Sequence, residues 1–187
     1  MNRTLFLSLA GAGLLLSGCS SVLVERDYDA AFNFQTLETY AWKHAVQPET
    51  GVPRIDNDLN DRRIRQAVDD TLRAKGFTLA ENPAAADFHV EYFMEFRQRI
   101  ESSGGSVSLG IGSYSGGRAG SLGWSTGANV SDYEEAQLTI DILEPNADRT
   151  IWRGRGLRRA SSSADPAKLT SRTQEVVSRI LKKFPPQ

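Results

Sequence analysis

Apolar positions along this chain recur with period two in some stretches and near 3.6 in others, and the switches between the two predict its elements. Val22 to Tyr28 reads as a strand and Thr39-Tyr40-Ala41-Trp42 as a second, shorter one, both rich in β-branched and aromatic residues. Residues 47–57 carry Pro48, Gly51 and Pro53 and read as a loop. From about Asp58 the spacing becomes helical. Ile64, Ala67, Val68 and Leu72 share one face, and Arg62, Arg63, Arg65, Asp69, Asp70 and Arg73 occupy the others. Gly76 suits the left-handed position beyond the helix, with Phe77 folding back on its last turn.

Period two returns at Phe88, Val90, Tyr92, Met94 and Phe96, which alternate with mostly polar residues as a half-buried strand does. Leu138, Ile140 and Ile142 alternate in the same way and face Ile151-Trp152 across Glu144-Pro145-Asn146-Ala147-Asp148, a turn that predicts an antiparallel hairpin. A second helix follows, with Asp165 as its cap, Pro166 at its first position and an apolar stripe of Leu169, Val176, Val177, Ile180 and Leu181 before Phe184-Pro185-Pro186. The order predicts an α+β fold: an antiparallel β-sheet with two amphipathic helices packed on one face and a Gly/Ser-rich insertion between strands.

The N-terminus carries an address. Arg3 precedes an apolar run from Leu5 to Leu16, too short for a spanning helix, and Ser17-Gly18-Cys19 follows. Leu16-Ser17-Gly18-Cys19 resembles the bacterial lipobox, which implies a signal peptide over residues 1–18 and a diacylglycerol-modified, acylated (palmitate-type) cysteine at Cys19. Each buried methylene contributes about 0.8 kcal/mol, so two or more chains anchor stably where one is marginal. Ser20, rather than an Asp, stands after the cysteine and favours outer-membrane sorting. Residues 19–21 are then a lipidated tether, and residues 22–187 form a single periplasm-facing domain held close to the membrane. The partners expected from this address are outer-membrane lipid and the lipoprotein processing and sorting machinery. The covalent lipid on Cys19 is the only group expected, with no other cofactor.

Residues 102–131 break the pattern. They hold nine of the chain's 16 glycines, and the entropy of such a backbone opposes order. Leu109, Tyr114 and Trp124 punctuate the stretch and make it a candidate adhesive surface inside an otherwise flexible insertion. Gly123-Trp124-Ser125-Thr126-Gly127 matches the nucleophile elbow of hydrolases, but no strand precedes Ser125 and no helix follows it. His44 and His89 both come before the serine, whereas that fold places its histidine last. A serine hydrolase at Ser125 is a remote alternative, and no catalytic residue is expected.

Composition narrows the rest. Lys+Arg 22 against Asp+Glu 23 gives a net charge of -1, too weak a field to gather nucleic acid. One cysteine and two histidines leave little material for a metal site. Asp87, His89 and Glu91 share a strand face, but ligands so spaced on one strand rarely close a site unaided, and no metal is expected. Asp56, Asp58 and Asp61 decorate a helix start. Asp69 and Asp70 lie at pairing distance from Arg65, Arg73 and Gln66 along the same helix, as surface ion pairs do. Arg153, Arg155, Arg158 and Arg159 form the only dense basic run, which fits an edge strand guarded by charge. Alternatively, it fits a surface for lipid phosphate or an acidic partner. Arg153 and Arg155, with Leu109, Tyr114 and Trp124, are the candidate binding residues.

Several stretches together resemble a family of bacterial lipoproteins, domain of unknown function 4136. They are Asp27-Tyr28-Asp29, Phe34, Tyr40-Ala41-Trp42, Ile64 to Val68, Leu72, Lys75-Gly76-Phe77 and Ala86-Asp87-Phe88 with Val90 and Tyr92. Leu138-Thr139-Ile140-Asp141, Ile151-Trp152-Arg153-Gly154 and Ile180-Leu181 with Phe184-Pro185-Pro186 complete the set. Where the family often carries Gly-Thr before the hairpin leucine, this chain has Ala136-Gln137. The resemblance implies a membrane-anchored envelope protein and supplies no catalytic residues. The expected function is a non-enzymatic binding or structural role toward an envelope protein or glycan, the alternative being an assembly factor that docks a protein complex through the Gly-rich segment.

Overall fold

The computed structural model describes residues 22–102, 130–160 and 165–186. Six strands, β1 (Leu23–Tyr28), β2 (Thr39–Trp42), β3 (Thr78–Leu79), β4 (Phe88–Ser102), β5 (Val130–Glu144) and β6 (Arg149–Arg159), form one sheet in the order β1-β6-β5-β4-β2-β3. Helices α1 (Asp58–Ala74) and α2 (Pro166–Leu181) pack together on one of its faces. Among the described residues no helix is long and apolar enough to cross a membrane.

The helix ends form as their sequences direct. Asn57 caps α1 by accepting from the Leu59 and Asn60 N–H groups, and Asp165 caps α2 by accepting from Ala167. Gly76 has φ 95°, and the paired bonds Phe77 N–H to Leu72 O and Gly76 N–H to Arg73 O close α1 in a Schellman turn. β5 and β6 form the expected hairpin, with Asp148 at φ 50° in its turn.

The α+β class and the placement of both helices hold, and the sheet is mixed rather than wholly antiparallel. β2 pairs in parallel with both β3 and β4, and the other contacts are antiparallel. The reason is connectivity: α1 lies between β2 and both partners, and a helical crossover returns the chain in the same direction. β4 also outruns its apolar alternation. Beyond Phe96 it continues as Arg97-Gln98-Arg99 and onward, paired with β5 as far as Ser102 opposite Val130. β6 ends at Arg159 opposite Glu135, so the outer part of β4 and β5 is a two-stranded ribbon, where polar side chains suffice. The Gly-rich insertion expected over 102–131 lies, apart from the strand residues at its two ends, outside the described residues.

The helix-facing side is apolar. Trp42, Val90, Ile142 and Trp152 stand in register across four strands, and Ile140 and Leu138 continue the layer. One end is sealed by aromatic rings. Phe184 lies 5.3–5.6 Å from Trp152, Phe77 and Phe88, and Phe34 closes on it at 6.2 Å. Phe88, Trp152 and Phe184 are fully buried, each contributing on the order of 2–3 kcal/mol through burial.

Two positions let α2 approach β6. A Cβ on Gly154 would lie 2.6 Å from Ile180 Cγ2 and closer still to Trp152 Cη2, and one on Gly156 would lie 2.9 Å from Ile180 Cδ1. Neither glycine has a positive φ; both are there because a side chain would occupy space that α2 and Trp152 fill.

Asp69 departs from the surface pairing expected of it. Its Oδ1 accepts from the Tyr40 hydroxyl at 2.9 Å and Trp42 Nε1 at 3.1 Å, tying α1 to β2. Asp61 accepts from the Tyr92 hydroxyl at 2.8 Å and from Arg65, whose guanidinium lies over the Trp42 ring. Burial and these carboxylates push the Tyr40 and Tyr92 hydroxyls well above the ordinary tyrosine range. Asp70 does make the expected local contacts, with Gln66 and Arg73. At the β2–β4 junction Asp87 accepts from the Thr39 N–H and hydroxyl and the Glu38 N–H, and these bonds, led by the Thr39 N–H, hold its carboxyl below the usual value of 3.8.

Gly154→Ala is expected to lower stability by about 1–3 kcal/mol, read as a shift in the urea midpoint, because the core can admit the methyl only by moving Trp152 or Ile180. Asp87 gives a pH signature. Its folded pKa lies below the unfolded one, so its contribution is present above pH 4 and is lost as pH falls through the lowered value. Unfolding midpoints of the wild type and Asp87→Asn should therefore differ at pH 7 and converge toward pH 3.

Candidate functional site

The face of the sheet turned away from the helices carries the polar half of every alternation. From β1 to β4 it presents the register row Asp27, Arg153, Asp141, Glu91, and beside it the row Glu25, Arg155, Thr139, Phe93. A third row runs Leu23, Leu157, Gln137, Glu95. Because β5 is central and its neighbours carry longer side chains, Gln137 and Thr139 are buried on a face that no described element covers. They form the floor of a depression of about 380 Å³, rimmed by Glu25, Phe93, Arg97, Arg153 and Arg155.

The two arginines singled out in the sequence share this face and differ in what they do there. Arg153 donates Nε to Asp141 Oδ1 at 2.7 Å and Nη2 to Asp141 Oδ2 at 2.5 Å, a bidentate pair. Asp141 is only 1% exposed, and Glu91 and Asp27 add negative potential, so Arg153 is held above its already high pKa, chiefly by the Asp141 bond. A guanidinium bonded twice to one carboxylate and lying in the field of two more has little left for an outside anion. Arg155 is one row along, opposite Glu25 and Thr139, and makes no hydrogen bond or ion pair with the described residues. Its neighbours on the rim are spoken for: Arg97 pairs with Glu95, and Arg99 with Glu135.

The reading of the basic run as an edge strand is corrected here. β6 is the second strand of the sheet, covered by β1, and the alternation splits its arginines. Arg153 and Arg155 face the open side, while Arg158 faces α2 and bonds Glu175 at 3.0 Å. Leu109, Tyr114, Trp124 and Ser125 lie outside the described residues, as do Leu16, Ser17, Gly18, Cys19 and Ser20. Gln137 and Thr139 were missed as floor residues, although period two places them on the same face as Asp141.

Asp87, His89 and Glu91 are drawn to different partners. Asp87 serves Thr39 and Glu38, His89 Nε2 lies 3.1 Å from the Pro83 carbonyl, and Glu91 meets Lys43 at 3.4 Å and His44 at 3.7 Å. Among the described residues no three His, Cys, Asp or Glu side chains gather as metal ligands. With a polar floor, one exposed aromatic and a guanidinium that no described residue engages, the depression can hold a hydrogen-bonding or acidic group and orient it.

No curated protein matches this chain. Among solved structures it is similar to a PDZ domain protein from Parabacteroides distasonis, with a TM-score of 0.52 at 12% identity over 89% of this chain. The chain spans only 36% of that protein's length, and the likeness is one of fold. It is also similar to a DUF4136 family protein from Bacteroides thetaiotaomicron (TM-score 0.46, 16% identity, 88% of this chain and 96% of that one). A third neighbour is the PelC dodecamer from Paraburkholderia phytofirmans (TM-score 0.45, 14% identity, 86% and 95%). The family described as "Domain of unknown function (DUF4136)" matches residues 24–186, nearly everything after the N-terminal apolar run, and the chain belongs to that family.

Proposed function

We propose that this protein is a non-enzymatic, lipid-anchored lipoprotein of the outer membrane. In this reading its domain faces the periplasm and binds an acidic or hydroxyl-rich envelope component on the helix-free face of the sheet. The observation that carries the binding assignment is Arg155, which among the described residues has no hydrogen-bond or ion-pair partner, at the rim of a concave polar surface whose other arginines are paired. Guanidinium matches carboxylate or phosphate oxygens bidentately, and Thr139 and Gln137 supply neutral donors and acceptors beneath it. Support for the anchor comes from Leu16-Ser17-Gly18-Cys19 and from the short spacing of Cys19, three positions before the buried Val22. Extended, that tether reaches about 10 Å.

A second reading has an observation of its own. The β4–β5 ribbon holds Ser102 opposite Val130, so the two ends of the Gly-rich segment leave side by side from an arm beyond the helices. That is where a segment docking onto a protein complex would be carried. Photo-crosslinking in cells from Leu109 and Trp124 reads it: a discrete protein adduct supports the docking role, and lipid adducts alone refute it.

The anchor is tested by Cys19→Ala, which should abolish incorporation of labelled fatty acid and release the protein from membranes; a variant still labelled would refute the anchor. In that released background, Arg155→Glu should lower co-sedimentation with the isolated envelope fraction about tenfold while leaving the urea midpoint within about 0.5 kcal/mol of its parent. Arg153→Ala should behave in the opposite way. It strands the buried Asp141 and should cost about 3 kcal/mol, at the lower end for breaking a buried pair because Arg153 is itself partly exposed. Unchanged co-sedimentation of Arg155→Glu would remove the helix-free face from consideration.

A further inference from the structure

We propose that the groove between the N-terminal halves of the two helices and the sheet binds a single-chain anionic amphiphile, an acyl chain ending in a carboxylate. This site is on the opposite side of the sheet from the depression described above. Its walls are apolar: Ile64 of α1, Met94 and Phe96 of β4, Leu138 of β5, and Leu169 and Val176 of α2. While Phe34, Phe77, Phe88 and Phe184 close the far end of the core, Phe96 is the one ring lining this end among the described residues, and a cavity of about 300 Å³ is left.

Arg172 of α2 lines the groove, and its Nη1 is buried with no hydrogen-bond acceptor among the described residues. A charged donor in that position is costly unless something answers it. Trp152 Nε1 also lacks an acceptor, but it belongs to a fully buried ring packed at 5.3 Å against Phe184. The other arginines at the groove are engaged. Arg54 bonds Glu134 and lies over the Phe96 ring, Arg158 bonds Glu175, and Arg159 lies over the Tyr133 ring.

The groove therefore asks for one anionic oxygen group attached to an apolar body. An inorganic anion would answer Arg172 and leave the walls unfilled; a neutral hydrocarbon would fill the walls and leave Arg172 unanswered. A carboxylate on an acyl chain does both, since a guanidinium can donate two parallel hydrogen bonds to its oxygens. The volume lies at the bottom of the range of roughly 300–1,000 Å³ for small-molecule sites, which suits one chain and not the two of a phospholipid.

The groove is also within reach of such molecules. Leu23 pairs with Leu157 and Val24 with Gly156, so Val22 meets the end of β6 that forms one wall, and Cys19 lies three residues before it. An anchored chain thus holds the groove at the bilayer surface. This last point rests on the anchor proposed above; the chemistry of the groove does not.

The test uses the full chain reconstituted in phosphatidylcholine vesicles, with a diazirine-bearing palmitic acid or the matching alcohol as probe, irradiation and peptide mass spectrometry. The acid should label the peptides containing Leu169 to Val176 and Met94 to Phe96 at least tenfold more than the alcohol. Arg172→Gln should erase that preference, Arg172→Lys should keep part of it, and Leu138→Trp, which fills the slot, should cut labelling by both probes, all with unchanged far-ultraviolet circular dichroism. Equal labelling by acid and alcohol in the wild type overturns the proposal. So does groove labelling that survives both Arg172→Gln and Leu138→Trp, or no groove adduct with either probe. Cys19 lipidation is scored in the same spectra: groove labelling without lipid on Cys19 upholds the groove and overturns the anchor.

Discussion

The close approach of α2 to β6 organises this domain. Gly154 and Gly156 leave no side chain between strand and helix, and Ile180 and Val176 occupy the space that Cβ atoms would take. Trp152 can then lie flat in the core and meet Phe184, and that contact gathers Phe34, Phe77 and Phe88 into one aromatic cluster. The same approach sets the other end. Packed this tightly at Gly154 and Gly156, α2 extends back toward Leu169 over Ala136 and Leu138 of β5, with Met94 and Phe96 of β4 beyond them, and the groove is the space left over. A closed aromatic end and an open aliphatic end are two consequences of one packing contact.

The opposite face follows a different constraint. With no described helix over it, its residues are mostly polar, yet the central strand is shielded by its neighbours. Asp141 can be nearly inaccessible there only because Arg153 spans it with two hydrogen bonds. Removing an arginine from this pair differs in kind from removing Arg155, because one leaves a buried charge unpaired and the other leaves an open rim. Two arginines two residues apart on one strand thus differ in kind, one closing a buried ion pair and one standing at an open rim.

Membership in the DUF4136 family joins these features to a common architecture without assigning them a ligand. The two concave surfaces lie on opposite sides of the sheet and differ in chemistry. One is polar, with mixed charge and a cation that no described residue engages, and the other is mostly apolar with one partly buried cation. An address at a membrane surface would suit both, the first turned to what the envelope displays and the second to what the bilayer sheds.

Much was legible in one dimension, because local geometry is written in local residues. Period-two alternation marked β4, β5 and β6, helical spacing marked α1 and α2, and Asp165-Pro166 and Lys75-Gly76-Phe77 placed helix ends that the structure keeps. Cap and turn chemistry act within five residues, so no tertiary contact is needed to read them. What stayed illegible depends on partners distant in sequence. Asp69 reads as a helix-surface ion pair until β2 brings Tyr40 and Trp42 to it from 29 and 27 residues away. The basic run reads as an edge until β1 pairs with β6, and β2 reads as antiparallel until the crossover through α1 sets its direction. The groove at Arg172 has no sequence signature at all. An orphaned donor is a property of what surrounds an atom, and only the folded arrangement of two helices over a sheet decides that.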